Sequence, residues 1–251
     1  MKSNDIFYKY YDAVFSNKEY TDEFNYIIES WGKYGNPLIK PRILDVGCGT
    51  GNHTFEFLKS GFDITGIDID KNMIDIAISK YGKRNKIFKL ADVTTKKFRK
   101  KFQLVYSYFF VVNYIDDIDY LRKYFTSIFN LLDNNGIFAF DLVNGNATSL
   151  SPPIEKKIES VLGATIVKGK LLPIYDARYN IAEYHYNLEI QENKKKVKVD
   201  YSINQTYWNP FVIIQILKKS GFKNVHVFKA LTFDPSYSNQ DYKLSFACVV
   251  D

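Results

Sequence analysis

Between Pro41 and about residue 142 two hydrophobic patterns alternate along the chain. Short apolar runs predict strands: RILDV (42–46), FDITGIDI (62–69), KIFKLADV (86–93), FQLVYSYFF (102–110) and IFAFDLV (137–143). The fourth is apolar nearly throughout, as a strand buried on both faces should be. Between them, NHTFEFLKS (52–60), KNMIDIAISKYG (71–82) and DDIDYLRKYFTSIFNLLDNNG (116–136) predict helices, with Gly61, Gly82 and Gly136 as stops. Met73, Ile76 and Ala77 share helical spacing in the second, and Asp116 or Asp117 opens the third. This rhythm predicts a parallel sheet with helices on both faces, which binds ligands beyond the carboxyl ends of its strands.

Past residue 150 the pattern changes. Residues 164–208 alternate polar and apolar positions with no helical period, and QENKK (191–195) suits a hairpin turn. An antiparallel sheet of three or four strands is expected there. NPFVIIQILKKSGF (209–222) restores the helix pattern, with Pro210 in its first turn and Gly221 at its stop. KNVHVFKAL (223–231) and KLSFACVV (243–250) follow as an antiparallel pair able to close the main sheet. The expected fold is one α/β domain with a Rossmann-like, seven-stranded sheet. A helical cap (1–40) precedes the core (41–149), a small antiparallel sheet is inserted (150–207), and residues 208–251 complete the core sheet.

The chain of 251 residues is 46% hydrophobic, enough for one large core. Its 20 Tyr, 20 Phe and 2 Trp exceed what a core needs, so part of them should line a pocket or lid. No apolar run approaches the ~20 residues of a membrane span, and MKSNDIFYKYYDAVF lacks a signal-peptide apolar region. Cys48 and Cys248 show no framework spacing, which suggests a reducing, cytoplasmic setting. His53, His185 and His226 have no metal-ligand spacing, so no metal is expected. The net charge of +6 permits a nucleic-acid partner, but the lysines are scattered, and KKFRKK and NKKKVKV read better as solvated surface.

Gly47, Gly49 and Gly51 in ILDVGCGTG form G-x-G-x-G, which departs from the dinucleotide spacing at Asn52. Asp45 lies just inside the loop. Asp68 ends the second strand about twenty residues on, where a carboxylate can accept ribose hydroxyls. Met73 can cover an adenine face, and Asp92 follows the third strand. Each has a plainer reading beside it: Asp68 as a helix cap, Met73 as core filler. Together, ILDVGCGTG, TGIDIDKNMI and LADV resemble class I S-adenosylmethionine (SAM)-dependent methyltransferases over residues 41–142. The resemblance implies that Gly47, Gly49 and Gly51 lie against the methionine part and ribose of SAM. It implies that Asp45 holds the ammonium through water or loop amides, Asp68 the ribose with Ile69 beside it, Met73 the adenine face, and Asp92 and Val93 the adenine edge. Tyr20 and Tyr108 are expected at the same site.

For the acceptor, the start YKYYDAVFSNKEYTDEF, the segment YSYFFVVNYIDD and the inserted sheet resemble N-methyltransferases of nucleotide-linked deoxyamino sugars. That resemblance implies a small-molecule substrate, Tyr11 and Tyr20 lining the active site, and Lys18 near its mouth meeting a carboxylate or phosphate. Where that family can carry a histidine after the fourth strand, this chain has Asn113 and Tyr114. Tyr11, Asn113 and His185 are therefore the candidate catalytic residues. His185 faces opposite to Tyr184 and Tyr186, toward either pocket or solvent. Asp141 and Asn144 either touch substrate or cap the chain's exit from the fifth strand. A small-molecule O-methyltransferase, an RNA or protein methyltransferase and a non-catalytic SAM-binding module remain alternatives, and a homodimer is left open.

Overall fold

The computed structural model describes residues 3–81 and 86–250. The expected stop at Gly82 lies outside the described residues. Seven strands form the main sheet: β1 (Arg42–Val46), β2 (Asp63–Asp68), β3 (Phe88–Leu90), β4 (Phe102–Ser107), β5 (Leu132–Val143), β10 (Asn224–Lys229) and β11 (Lys243–Val249). Their order is β10-β11-β5-β4-β1-β2-β3, and β11 runs antiparallel to both of its neighbours. Strand order reverses between β1 and β4, which are paired in parallel, so a ligand cleft belongs at their carboxyl ends.

The helices form where periodicity and caps agree. In α4 (Asn52–Lys59), Thr54 and Phe57 are buried. In α5 (Lys71–Tyr81) the core stripe is Ile74 and Ala77, which leaves Met73 turned from the core. Asp117 caps α6 (Ile118–Leu131) by accepting from the Tyr120 N–H at 2.7 Å. α6 ends at Leu131 rather than beside Gly136, because β5 begins at Leu132 and Asn135 takes the left-handed turn. Asn209 caps α8 (Pro210–Lys219) through the Phe211 N–H at 2.8 Å.

The inserted sheet has four antiparallel strands: β6 (Lys156–Leu162), β7 (Thr165–Asp176), β8 (Ile181–Glu192) and β9 (Lys195–Thr206). Its last hairpin turns at Asn193 and Lys194, both at positive φ, as a two-residue turn requires. The segment from Ser3 to Tyr34 divides between two supports. α1 (Ser3–Lys9) and α2 (Tyr11–Val14) bury Phe7, Tyr10, Ala13 and Val14 on the inner face of the inserted sheet, against Val167, Leu188 and Val199. α3 (Tyr20–Tyr34) instead packs Tyr26, Ile27 and Trp31 on the main sheet, against Ile43, Leu104 and Ile137. Two short strand ends depart from the expected runs: β3 stops at Leu90 and β4 at Ser107. Among the described residues no helix is long and apolar enough to cross a membrane.

Candidate functional site

The turn after β1 is held from behind. The Gly47 and Cys48 N–H groups both donate to the Ile67 carbonyl, at 2.8 and 3.0 Å. Gly47 sits at φ +79°, and a Cβ there would lie 2.6 Å from Val111 Cγ2, so only glycine fits. Gly51, at φ +84°, lies against the Phe88 ring in the same way. The Asp68 carboxylate at the end of β2 accepts the Gly49 N–H (2.8 Å) and the Asp70 N–H (2.8 Å), tying two strand ends together. Burial pushes its pKa up, against those N–H donors, which work to lower it.

A cavity of about 610 Å³ opens beside this turn. That volume is in the range of a cofactor or drug-sized ligand. Its floor is formed by Gly47, Gly49, Asp68, Ile69, Met73, Asp92 and Val93, all anticipated from the sequence. Asp92 accepts the Thr94 N–H at 2.7 Å. The opposite wall comes from Tyr8 and Tyr11, from Phe15 and Tyr20, and from Tyr186 and Tyr201 of the inserted sheet. Tyr108, Phe109 and Tyr114 join it after β4. Burial pushes Tyr11 well up and Tyr20 to about 12, so both phenols stay protonated in the neutral range.

Four residues anticipated for SAM binding or catalysis are not among those lining the cavity. Asp45, 2% exposed, lies beneath the loop and accepts from Thr54 Oγ1 at 2.6 Å. It shares its side of the sheet with Tyr106, and burial raises it to about 6. Gly51 begins α4 behind the loop. Asn113 is fully buried in structural work: its Nδ2 donates to the Thr206 carbonyl (2.8 Å) and its Oδ1 accepts the Val143 N–H (3.0 Å). It fastens the inserted sheet to β5, and its full burial keeps it from a substrate in the cavity. His185 faces away from the side of β8 that carries Tyr186, its Nε2 3.4 Å from Glu183 Oε1. Neither is placed to act as a catalytic residue.

Lys18 does not line the cavity either. It bonds Glu23 and lies over the Phe109 ring at 4.3 Å, only 11% exposed, so it is not free to meet a substrate phosphate. Glu23 also binds His53 Nε2. Burial works to raise Glu23, but the His53 hydrogen bond and the charges of His53 and Lys18 prevail and hold it low. Asp141 does not reach the cavity. Its carboxylate accepts the N–H groups of Phe109 (3.2 Å) and Phe110 (2.8 Å), two successive residues at positive φ. Asn144 caps α7 (Gly145–Leu150) through the Asn146 N–H at 3.0 Å.

One residue that sequence reasoning passed over fastens the wall to the floor. Asp12 of α2 accepts from Thr50 Oγ1 (2.6 Å) and Asn52 Nδ2 (3.1 Å) and pairs with Lys80 of α5 (2.6 Å). Lys80 and Tyr81 both donate to Asn52 Oδ1, and Asn52 Nδ2 reaches the Tyr20 hydroxyl at 3.0 Å. The Y-D pair in the opening segment was its only trace.

Residues 43–136 match the family model of a methyltransferase domain. A putative methyltransferase of Geobacillus sp. (strain WCH70) is 30% identical over 135 residues, 53% of this chain and 54% of that protein. The chain thus spans about half the length of the curated relatives it matches. Among solved structures, an S-adenosylmethionine-dependent methyltransferase from Clostridium acetobutylicum ATCC 824 superposes with a TM-score of 0.78 at 18% identity, covering 98% of each chain. A SAM-bound amino pentose methyltransferase from Micromonospora echinaspora, involved in calicheamicin biosynthesis, gives 0.74 at 16% identity, covering 96% of each. At these identities the likeness shows the fold, which is the Rossmann-like methyltransferase fold carrying an added antiparallel sheet.

Proposed function

We propose that the chain is a SAM-dependent methyltransferase acting on the amine nitrogen of a small molecule, an amino sugar or a similar amine. The observation that carries the proposal is the convergence of Gly47, Asp68, Met73 and Asp92 on one cavity whose other wall is tyrosine-rich. The match of residues 43–136 to a methyltransferase domain supports it, as does the fold shared with SAM-dependent enzymes. Asp68 holds the ribose hydroxyls, Met73 packs on the adenine, and Asp92 and Val93 read its edge. SAM supplies an activated methyl group.

The chain's own residues orient the acceptor and exclude water, the larger part of what an in-line displacement needs. Tyr11 and Tyr20 offer hydroxyl oxygens to the amine, but neither phenol ionises near neutrality, so neither removes its proton. His53 reaches the cavity but is engaged by Glu23. The amine therefore reacts in its neutral form, its proton released to water. The tyrosine wall offers no base, which favours an amine over a hydroxyl; an alcohol must lose its proton as it attacks. Enclosure by the cap and inserted sheet favours a small acceptor over RNA or protein.

Calorimetry with SAM and S-adenosylhomocysteine tests the donor assignment; a folded sample that binds neither would sink it. Asp68→Ala should weaken SAM about 10- to 100-fold, the worth of a charged hydrogen bond pair. Formation of S-adenosylhomocysteine with amines but not with matched alcohols would separate nitrogen from oxygen transfer and an enzyme from a binding module.

A further inference from the structure

Every charged side chain that lines the cavity, His53 apart, is acidic: Asp68, Asp70, Asp92, Asp116 and Asp117. Among the described residues no lysine or arginine reaches it. Three lysines close in sequence or space to lining residues each pair with a carboxylate: Lys18 with Glu23, Lys9 with Glu192 at 3.1 Å, and Lys80 with Asp12 at 2.6 Å. None of the five aspartates stands on the cap or the inserted sheet. There the wall is aromatic and neutral, built from Tyr8, Tyr11, Phe15, Tyr20, Tyr186 and Tyr201. Tyr11 and Phe15 lie 4.7 Å apart, Phe15 and Tyr186 6.2 Å, and Tyr186 and Tyr201 6.1 Å, so the rings form one continuous surface.

Such a wall discriminates by charge. The negative faces of its rings attract a cation within about 6 Å of their centroids. A phosphate or carboxylate brought against it would shed its water and meet only neutral donors, the tyrosine hydroxyls and Asn204, a costly burial without an opposite charge. Resting on the proposed transfer to nitrogen, we infer that the acceptor is an amine carrying neither phosphate nor carboxylate, held as its cation by the tyrosine wall. A nucleotide-linked sugar amine is thereby excluded from the cavity, and the free amine is its occupant.

The bond changes agree with that charge. The neutral amine's lone pair forms the new N–CH3 bond, and the S–CH3 bond breaks with its electron pair going to sulfur. The positive charge passes from sulfonium to ammonium, and the proton shed before attack goes to solvent. A positive charge thus faces the aromatic wall before and after transfer, on the donor first and on the product last.

The test uses three shape-matched probes titrated into the full chain saturated with S-adenosylhomocysteine: phenethylammonium, 3-phenylpropionate and phenethyl phosphate. Phenethylammonium should bind saturably, with both anions at least about tenfold weaker, and thymidine diphosphate should fail to displace it. Equal or tighter binding of either anion, displacement by thymidine diphosphate, or no binding of phenethylammonium at millimolar concentration would each overturn the inference. S-Adenosylhomocysteine binding is read first and alone. Its absence would strike the methyltransferase reading, whereas its presence with a failed amine arm strikes only the acceptor class.

Discussion

Asp141→Asn is expected to change the slope of stability against pH. Asp141 is 6% exposed, and burial raises its carboxyl from 3.8 to about 7, against the two N–H donors from Phe109 and Phe110. The folded protein therefore holds that proton more tightly than the unfolded chain does. Its stabilising effect is complete below about pH 3.8 and is lost as pH rises through about 7. Within that window the loss is about 1.4 kcal/mol per pH unit, or on the order of 3 kcal/mol between pH 5 and 8. Asparagine has no proton to lose. It can accept one of the two N–H groups and must turn its own NH2 toward the other, leaving a buried donor unpaired at about 1–3 kcal/mol. The variant should be the less stable protein at pH 5, and by pH 8 the gap should close or reverse. Asp45, raised to about 6 by burial, contributes equally to both proteins and cancels. Urea denaturation at pH 5, 6, 7 and 8, with the slope held common, reads the difference. Parallel curves for the two proteins would refute the reasoning.

Gly47→Ala combines a left-handed backbone with a Cβ 2.6 Å from Val111, so it should lose about 2–5 kcal/mol and show a lowered thermal midpoint. Asp12→Ala removes the tie between α2 and the glycine loop. It should cost about 1–3 kcal/mol and speed SAM release about tenfold, measured by stopped-flow displacement. Asn113→Ala leaves the Thr206 carbonyl and Val143 N–H unpaired in the core. A loss of about 2–5 kcal/mol by urea denaturation is expected, with faster proteolysis of the inserted sheet; a fully stable variant with a lowered kcat would instead restore Asn113 to catalysis.

The floor of the cavity was legible because it is local. The positions of Gly47, Asp68, Met73 and Asp92 follow from where strands end, and strand ends can be read from hydrophobic runs and glycine stops. The facing wall depends on which face a strand turns inward, and alternation along β8 does not say whether Tyr186 or His185 holds the inner side. The run FQLVYSYFF misled differently. Its apolar residues read as strand to Phe110, yet β4 ends at Ser107, and Phe109 and Phe110 adopt positive φ. Nothing in a phenylalanine announces that conformation; it is imposed by Asp141, some thirty residues away. Asp12 was missed for the same reason, since its partners Thr50, Asn52 and Lys80 meet it only in the folded chain.

The two sides of the cavity have separate covalent origins. The floor is drawn from the turns after β1, β2 and β3, while much of the facing wall is drawn from α1, α2, β8 and β9. Under the proposed function, a change of residue on the wall can therefore alter which acceptor is taken without disturbing the floor proposed to hold the donor. A library aimed at new acceptors would randomise positions such as Phe15, Tyr186, Tyr201 and Ile203 and leave the floor intact. The inserted sheet is in this sense an exchangeable mould set over a fixed tool.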